Sequence, residues 1–380
     1  MQPILRIDHE KHRSADDATG SNFCTDRGGE MSEAPQGREE ARNPLSLGER
    51  FRQPQTLLSF LFAGLIVAFL VRRLDIDPGE VWHQIRSANP GLFGLGLIVY
   101  YLGFVARTIR WRRMLVRAGV DRDSEVSLPP YPGLMEIVML SWFANCVVPA
   151  KLGDVYRGFL LKRRSNAPFT TTMGTIAAER LIDVVVLVVL LVGSGLLVFG
   201  RHFPTGTQTV VIYGGATVAV GVLAVIFAWL FRAQLLALLP NRFAAPLGRV
   251  QVGIFDNLRS PWVSIGLGVL IWLAEGARFF FVAWSLDVVL PGSTALFVAL
   301  LSSLATVSPI TPAGLGVVEA LVISVLPLVG VAEDSAAAIA ILDRVISYWS
   351  LIVIGLPLYI LYVRRDLTSS VRVETGSTQA

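Results

Sequence analysis

The sequence predicts an all-α polytopic membrane protein: about six full spans plus two re-entrant helical hairpins in an inverted repeat, with eight full spans as the alternative. Three observations predict it. Of 380 residues, 53% are hydrophobic and 16% charged, where a soluble domain carries about 25% charge. Apolar runs recur at 56–71, 92–106, 181–199, 209–231, 262–286, 294–307, 315–331 and 336–363. Several reach the roughly 18–20 residues that cross a bilayer core, and they do not alternate as barrel strands do. Finally, VVPAKLGDVYRGFL (147–160) and ITPAGLGVVEAL (310–321) share the word P-A-x-L-G, and each copy interrupts an apolar run.

Residues 1–54 are polar, mixed in charge and without apolar periodicity. They read as a disordered cytoplasmic tail, not a signal peptide, since no apolar stretch precedes Leu57. Met31 opens a plausible alternative start, which would make 1–30 non-native. The membrane domain is expected over 55–365, with repeat halves at about 91–199 and 262–362, followed by a disordered tail at 366–380.

Loop charge sets the topology, because cytoplasmic loops are enriched in Lys and Arg. The segment before 55, the loop 107–133, the segment 151–180, the loop 232–261 and the C-terminal tail are all arginine-rich. Both termini and these loops are therefore placed inside. Loops 200–208, 287–293 and 331–335 are poor in basic residues and are placed outside. Loop 72–90 mixes signs, and alternation puts it outside. Span 92–106 then ends inside and the next full span begins inside, so the short run 134–148 has to enter and return. Residues 294–330 begin and end outside. Three full spans separate the two P-A-x-L-G words, and an odd number inverts the second copy. Broken helices meeting near the midplane in inverted repeats are a recurring transporter design, and such backbone has to face protein or water.

The repeat extends beyond the hairpins. ARTIRW (106–111) precedes the first and ARFFFVAW (277–284) the second; ERLIDVV (179–185) follows the first and DRVISYW (343–349) the second. The pair Glu179 and Arg180 thus corresponds to Asp343 and Arg344. A charge inside a membrane costs at least about 2.5–3.5 kcal/mol, so these residues need a reason. One reason is mutual neutralisation, as for Glu275 and Arg278, three apart on one helix face. The other is a polar cavity. In that reading Lys151, Arg157, Arg180, Arg278, Arg344 and Arg107 bind an anion through planar or point charges. Asp154, Glu179, Asp183, Glu275, Glu319 and Asp343 take up protons or hold the arginines while the site is empty. Pro149, Gly153, Pro312, Gly314 and Gly316 mark the tips, the glycines permitting close backbone approach.

The composition excludes other classes. Cys24 and Cys146 make no disulfide framework or zinc site, and no Walker loop is present. Gly94 and Gly96 sit in an apolar run and read as helix packing. The net charge of +4 is topological and does not point to nucleic acid. No metal, cofactor or catalytic constellation is expected.

The motifs VPAKLGDVYRGFLL, AAERLIDVVVL, SPITPAGLGVVEAL and ILDRVISYW, in this order, resemble the lysylphosphatidylglycerol synthase transmembrane-region family, also called the flippase-like domain family. Lys151, Gly153 and Arg157 match its first pattern, with Asp154 in place of a glutamate. Pro309, Pro312, Gly314, Gly316 and Glu319 match the second, with Ala313 where the family often has glycine. The resemblance implies a multi-pass inner-membrane protein linked to lipid translocation. The expected cargo is a membrane lipid with an anionic phosphate headgroup, either a phospholipid or a polyprenyl-phosphate-linked lipid. No soluble transferase domain follows Arg365, so lysyl transfer is not implied. The alternative is an intramembrane enzyme or a partner of a lipid or glycan transferase.

Overall fold

The computed structural model describes residues 64, 65, 72, 76–121, 126–148, 152–200, 241–306 and 312–377. The expected spans at 56–71 and 209–231, both tails, Pro149 and Lys151 lie wholly or mostly outside them. All regular structure among the described residues is helical. Four helices are long and apolar enough to cross a membrane: Pro90–Arg117, Phe169–Phe199, Trp262–Ser285 and Glu333–Arg365. Large apolar side chains such as Leu197, Trp262 and Val353 lie exposed along them, as a lipid-facing surface requires.

Helix α1 (Pro78–Ser87) starts where Asp77 accepts from the Gly79 amide and proline fills the first turn, two standard start signals. Helix α2 (Pro90–Arg117) repeats the device with Asn89, which accepts from Gly91 and Leu92. The Asn89 amide also donates to the Ser285 carbonyl at 2.7 Å. That bond begins a long antiparallel pairing with α7 (Trp262–Ser285). Gly96 lies against the Arg278 carbonyl and Phe281, Arg107 meets Glu275, and Arg117 donates to the Ser260 carbonyl. The glycine reading of Gly96 as a packing residue therefore holds, whereas Gly94 touches nothing.

Helices α3 (Tyr131–Val147) and α4 (Gly153–Ser165) form an antiparallel pair. At one end Asn145 accepts from the Gly153 amide, and Ser141 donates to the Gly153 carbonyl. At the other, Arg164 reaches the Gly133 carbonyl and Glu136. The two helices thus run side by side in opposite directions. At 1.5 Å per residue the two arms measure about 25 and 20 Å, short of a hydrocarbon core of about 30 Å. A Cβ on Gly153 would collide with the Ser141 carbonyl and the Asn145 side chain.

Helix α5 (Phe169–Phe199) follows, then α6 (Asn241–Leu258), whose Gly253 lies against Gly174. The second broken segment runs through α8 (Gly292–Ala305), a short 3-10 turn at Pro312–Gly314 and α9 (Val317–Val325). Gly314 and Gly316 have positive φ values of 71° and 80°, so the tip depends on glycine. Helix α10 (Glu333–Arg344) passes through a π turn at Val345–Trp349 into α11 (Ser350–Ser377). Helix α11 runs antiparallel to α3, where Gly355 and Tyr359 pack on Phe143 and Tyr348 donates to the Cys146 carbonyl. Cys146 is buried and free.

Two span boundaries differ from the sequence reading. Helix α2 continues from Ala106 to Arg117, through what loop charge suggested was cytoplasmic, and α5 begins at Phe169 rather than at the expected span start of 177. The apolar run of α2 stops at Arg107 and that of α5 begins after Arg180, but both helices go on because Arg107, Arg110, Glu179 and Arg180 are paired inside the protein.

Candidate functional site

Two networks of buried charge occupy the centre of the molecule, both seated on α2. In the first, Arg110 donates to Asp183 at 2.5 and 2.9 Å and to Glu179 at 3.1 Å. Arg157, from α4, donates to the other Glu179 oxygen at 3.0 Å and stacks on Trp111 with 3.8 Å from its guanidinium carbon to the ring centre. Arg180 grips Asp154 with two bonds of 2.9 and 3.0 Å. Three arginines therefore face three carboxylates.

In the second, Arg107 donates to Glu275 at 2.8 Å and lies over the Trp142 ring. Arg278 donates to Glu275 at 3.2 Å and to Asp343. Arg344 donates to Glu319 at 3.1 Å and to the carbonyls of Ala313 and Gly314. The remaining Glu319 oxygen accepts from the Gly316 amide at 2.7 Å, which closes the start of α9. The count is again three and three. A guanidinium or carboxylate here costs several kcal/mol to desolvate and is tolerated only when paired.

The two networks obey one plan. In each, an arginine on the helix before the hairpin binds an acid on the span after it: Arg110 with Glu179, Arg278 with Asp343. The arginine next to that acid then holds a carboxylate on the returning arm: Arg180 with Asp154, Arg344 with Glu319. Between the networks lies a cavity of about 240 Å³. Arg107, Arg180, Arg278 and Arg344 line it with Asp154, Asp183, Glu275 and Asp343. Asn145 and Cys146 approach it from the first hairpin, Thr306 and Ala313 from the second segment. The Arg180 and Asp154 side chains keep 38% and 25% of their surface exposed, against 10% or less for Arg107, Glu275, Arg278 and Asp343. Arg180–Asp154 is thus the pair a solute in the cavity meets most readily.

Comparison with known proteins gives this arrangement a context. The family described as the lysylphosphatidylglycerol synthase TM region matches residues 56–355. The chain belongs to that family. A UPF0104 membrane protein of Methanocaldococcus jannaschii is 34% identical over 59% of this chain and 96% of its own length. Another, from Methanothermobacter thermautotrophicus, is 23% identical over 82% of this chain and 94% of its own. The glycosyltransferase AglD of Haloferax volcanii is 26% identical over 75% of this chain, but the match covers only 52% of that protein. The chain is accordingly a membrane protein of the lysylphosphatidylglycerol synthase TM family, and each of its four motifs contributes residues to the cavity wall.

Of the residues expected at an anion site in this family member, Arg107, Arg180, Arg278 and Arg344 line the cavity. Arg157 stands behind the wall, fully buried against Trp111 and Glu179. Lys151 lies outside the described residues. All six expected acids take part in the networks. The arginines do not converge as free cations, however, because each is already held by a carboxylate. Sequence reasoning missed Arg110, the one cation bound to two acids of α5, because it was counted as loop charge. Its spacing from Arg107 and its neighbour Trp111 were the available signals. Reasoning also missed Trp142, Asn145, Trp272 and Ser302 on the wall, where isolated polar groups in apolar runs carry no pattern.

Proposed function

We propose that the protein is a translocator that moves a phosphate-bearing lipid, a phospholipid or a polyprenyl-phosphate-linked lipid, between the leaflets of the cytoplasmic membrane. One observation carries the reading: matching elements of both halves wall a single cavity that contains a partly exposed arginine–carboxylate pair. The antiparallel course of α2 and α7, which correspond in the repeat, supports an inverted arrangement. The short arms of α3 and α4 support a hairpin that enters and leaves on one side, with both termini cytoplasmic. A phosphate arriving sideways from the bilayer would exchange for Asp154 on the planar fork of Arg180. Asp154 would hold the arginine again once the cargo leaves, and the second network would serve the opposite side in the same way.

Reconstitution into proteoliposomes with a fluorescent phospholipid tests this. Arg180→Ala and Arg344→Ala are each expected to slow leaflet exchange at least tenfold while the protein still purifies as a folded species. Wild-type exchange in both variants would remove the site.

The runner-up reading, an intramembrane enzyme or a partner of a glycan transferase, draws on the Haloferax relative, a glycosyltransferase by name. Chemical conversion of a labelled lipid by purified protein in detergent, where no leaflets exist, would favour it.

A further inference from the structure

Both broken segments are held by one short stretch of helix. Arg344 donates to the carbonyls of Ala313 and Gly314, at 3.3 and 3.1 Å, and to Glu319, whose other oxygen accepts from the Gly316 amide. It thereby pins the 3-10 turn and the start of α9. Four residues on, the Tyr348 hydroxyl donates to the Cys146 carbonyl at 3.1 Å. That carbonyl lies in the last turn of α3, where a helix leaves its final acceptors without an internal amide. Backbone of this kind at membrane depth needs a partner in protein or water. The stretch Arg344–Tyr348 supplies one to each segment.

The stretch is itself anchored to α2 and α7. Arg278 donates to the carboxylate and the carbonyl of Asp343, Tyr100 donates to the Ser347 carbonyl, and the Tyr101 and Ser350 hydroxyls share a hydrogen bond. Arg344 stands at the end of α10 and Tyr348 within the π turn Val345–Trp349, a departure from α geometry that recurs at functional sites. Tyr348 is fully buried, so its hydroxyl has no water at hand to replace the Cys146 carbonyl. In the aligned words, ERLIDVV of the first half has Val184 where DRVISYW has Tyr348. A valine side chain makes no hydrogen bond, so this bridge is not repeated at the matching position of α5.

We infer that Tyr348 couples the two broken segments. The end of α3 and the turn before α9 do not shift independently, because each shift strains a bond made by the same stretch of helix. A displacement of the turn at Ala313 that draws Arg344 with it also draws Tyr348, and with it the end of α3. The coupling goes beyond the translocation reading and holds whatever the cavity binds.

Cys146 is a built-in reporter, because it lines the cavity yet is only 3% exposed. In the full chain carrying Cys24→Ser, purified in detergent, the rate at which a small methanethiosulfonate reacts with Cys146 measures how often the end of α3 opens. Glu319→Gln loosens the hold on Arg344, and Gly314→Ala strains the turn through its φ of 71°. Each is expected to raise the Cys146 rate about fivefold, the scale of one hydrogen bond. Tyr348→Phe keeps the ring, removes the bond and raises the rate by a similar factor. Added to Tyr348→Phe, either second-segment variant is expected to raise it by less than about twofold more, the non-additivity that marks coupled groups. Ser194→Cys, a buried site on α5, serves as a control in a background of Cys24→Ser and Cys146→Ala, and its rate is expected to be the same in every variant. Unchanged Cys146 rates in both Glu319→Gln and Gly314→Ala, an equal rise with and without Tyr348→Phe, or a parallel rise at the control site would overturn the inference. The expected labelling pattern with no leaflet exchange in proteoliposomes would overturn the translocation reading alone.

Discussion

Ala313 has φ of 48° at the second tip, a left-handed conformation that costs a non-glycine residue about 1–2 kcal/mol. Ala313→Gly is therefore expected to raise stability by about 0.5–1 kcal/mol, glycine's greater unfolded-state freedom offsetting part of the relief. Thermal unfolding in detergent measures it, and a lowered midpoint would count against the strain. Glu179 carries the opposite expectation. It accepts from both Arg110 and Arg157, and Arg157 still has two guanidinium nitrogens without a partner among the described residues. Glu179→Gln removes a charge that two buried cations share, and breaking such a pair costs about 3–5 kcal/mol. A variant as stable as wild type would show that the arginines find other partners. Most of these charges were legible in the sequence, because an acid or arginine in an apolar run is conspicuous. Which arginine meets which acid was not, since those pairings join helices far apart in the chain.

At the scale of elements, the crossing of α5 and α6 depends on Gly174 and Gly253, whose backbones lie so close that a Cβ on either would strike the other helix. Small residues allow helices to approach this closely. Gly174→Leu is expected to push the helices apart and lower the yield of folded protein, whereas the same change at Gly193, which touches nothing within 4 Å of an added Cβ, should leave it unaltered. Comparable elution profiles for the two variants would refute the crossing. The first hairpin was readable because its returning arm is too polar to face lipid. The π turn after Arg344 was not. It widens the helix by one residue per turn, leaving the Ser347 carbonyl to accept from Tyr100 while Tyr348 reaches the first hairpin. No residue-type pattern announces such a turn.

For the whole molecule, the proposed inverted repeat would place the bases of the two hairpins on opposite faces of the membrane. In a background carrying Cys24→Ser and Cys146→Ala, Arg163→Cys is expected to react with an impermeant thiol reagent from the cytoplasmic side only, and Leu328→Cys from the other side only. Reaction of both from one side would discard the inversion. The all-helical membrane class could be read from hydropathy; the helix ends could not, because internal pairing carries helices past the point where hydropathy fails. The pairing of Arg107 with Glu275 has a further consequence for how the chain is made. These partners stand 168 positions apart, whereas Arg110 and Asp183 stand 73 apart. As the nascent polypeptide leaves the ribosome, Arg110 meets its acid within the first half, but Arg107 waits for α7. An N-terminal fragment ending before residue 262 would hold an uncompensated guanidinium in the bilayer and become a target for quality-control proteolysis, and supplying the missing half as a separate polypeptide should rescue it.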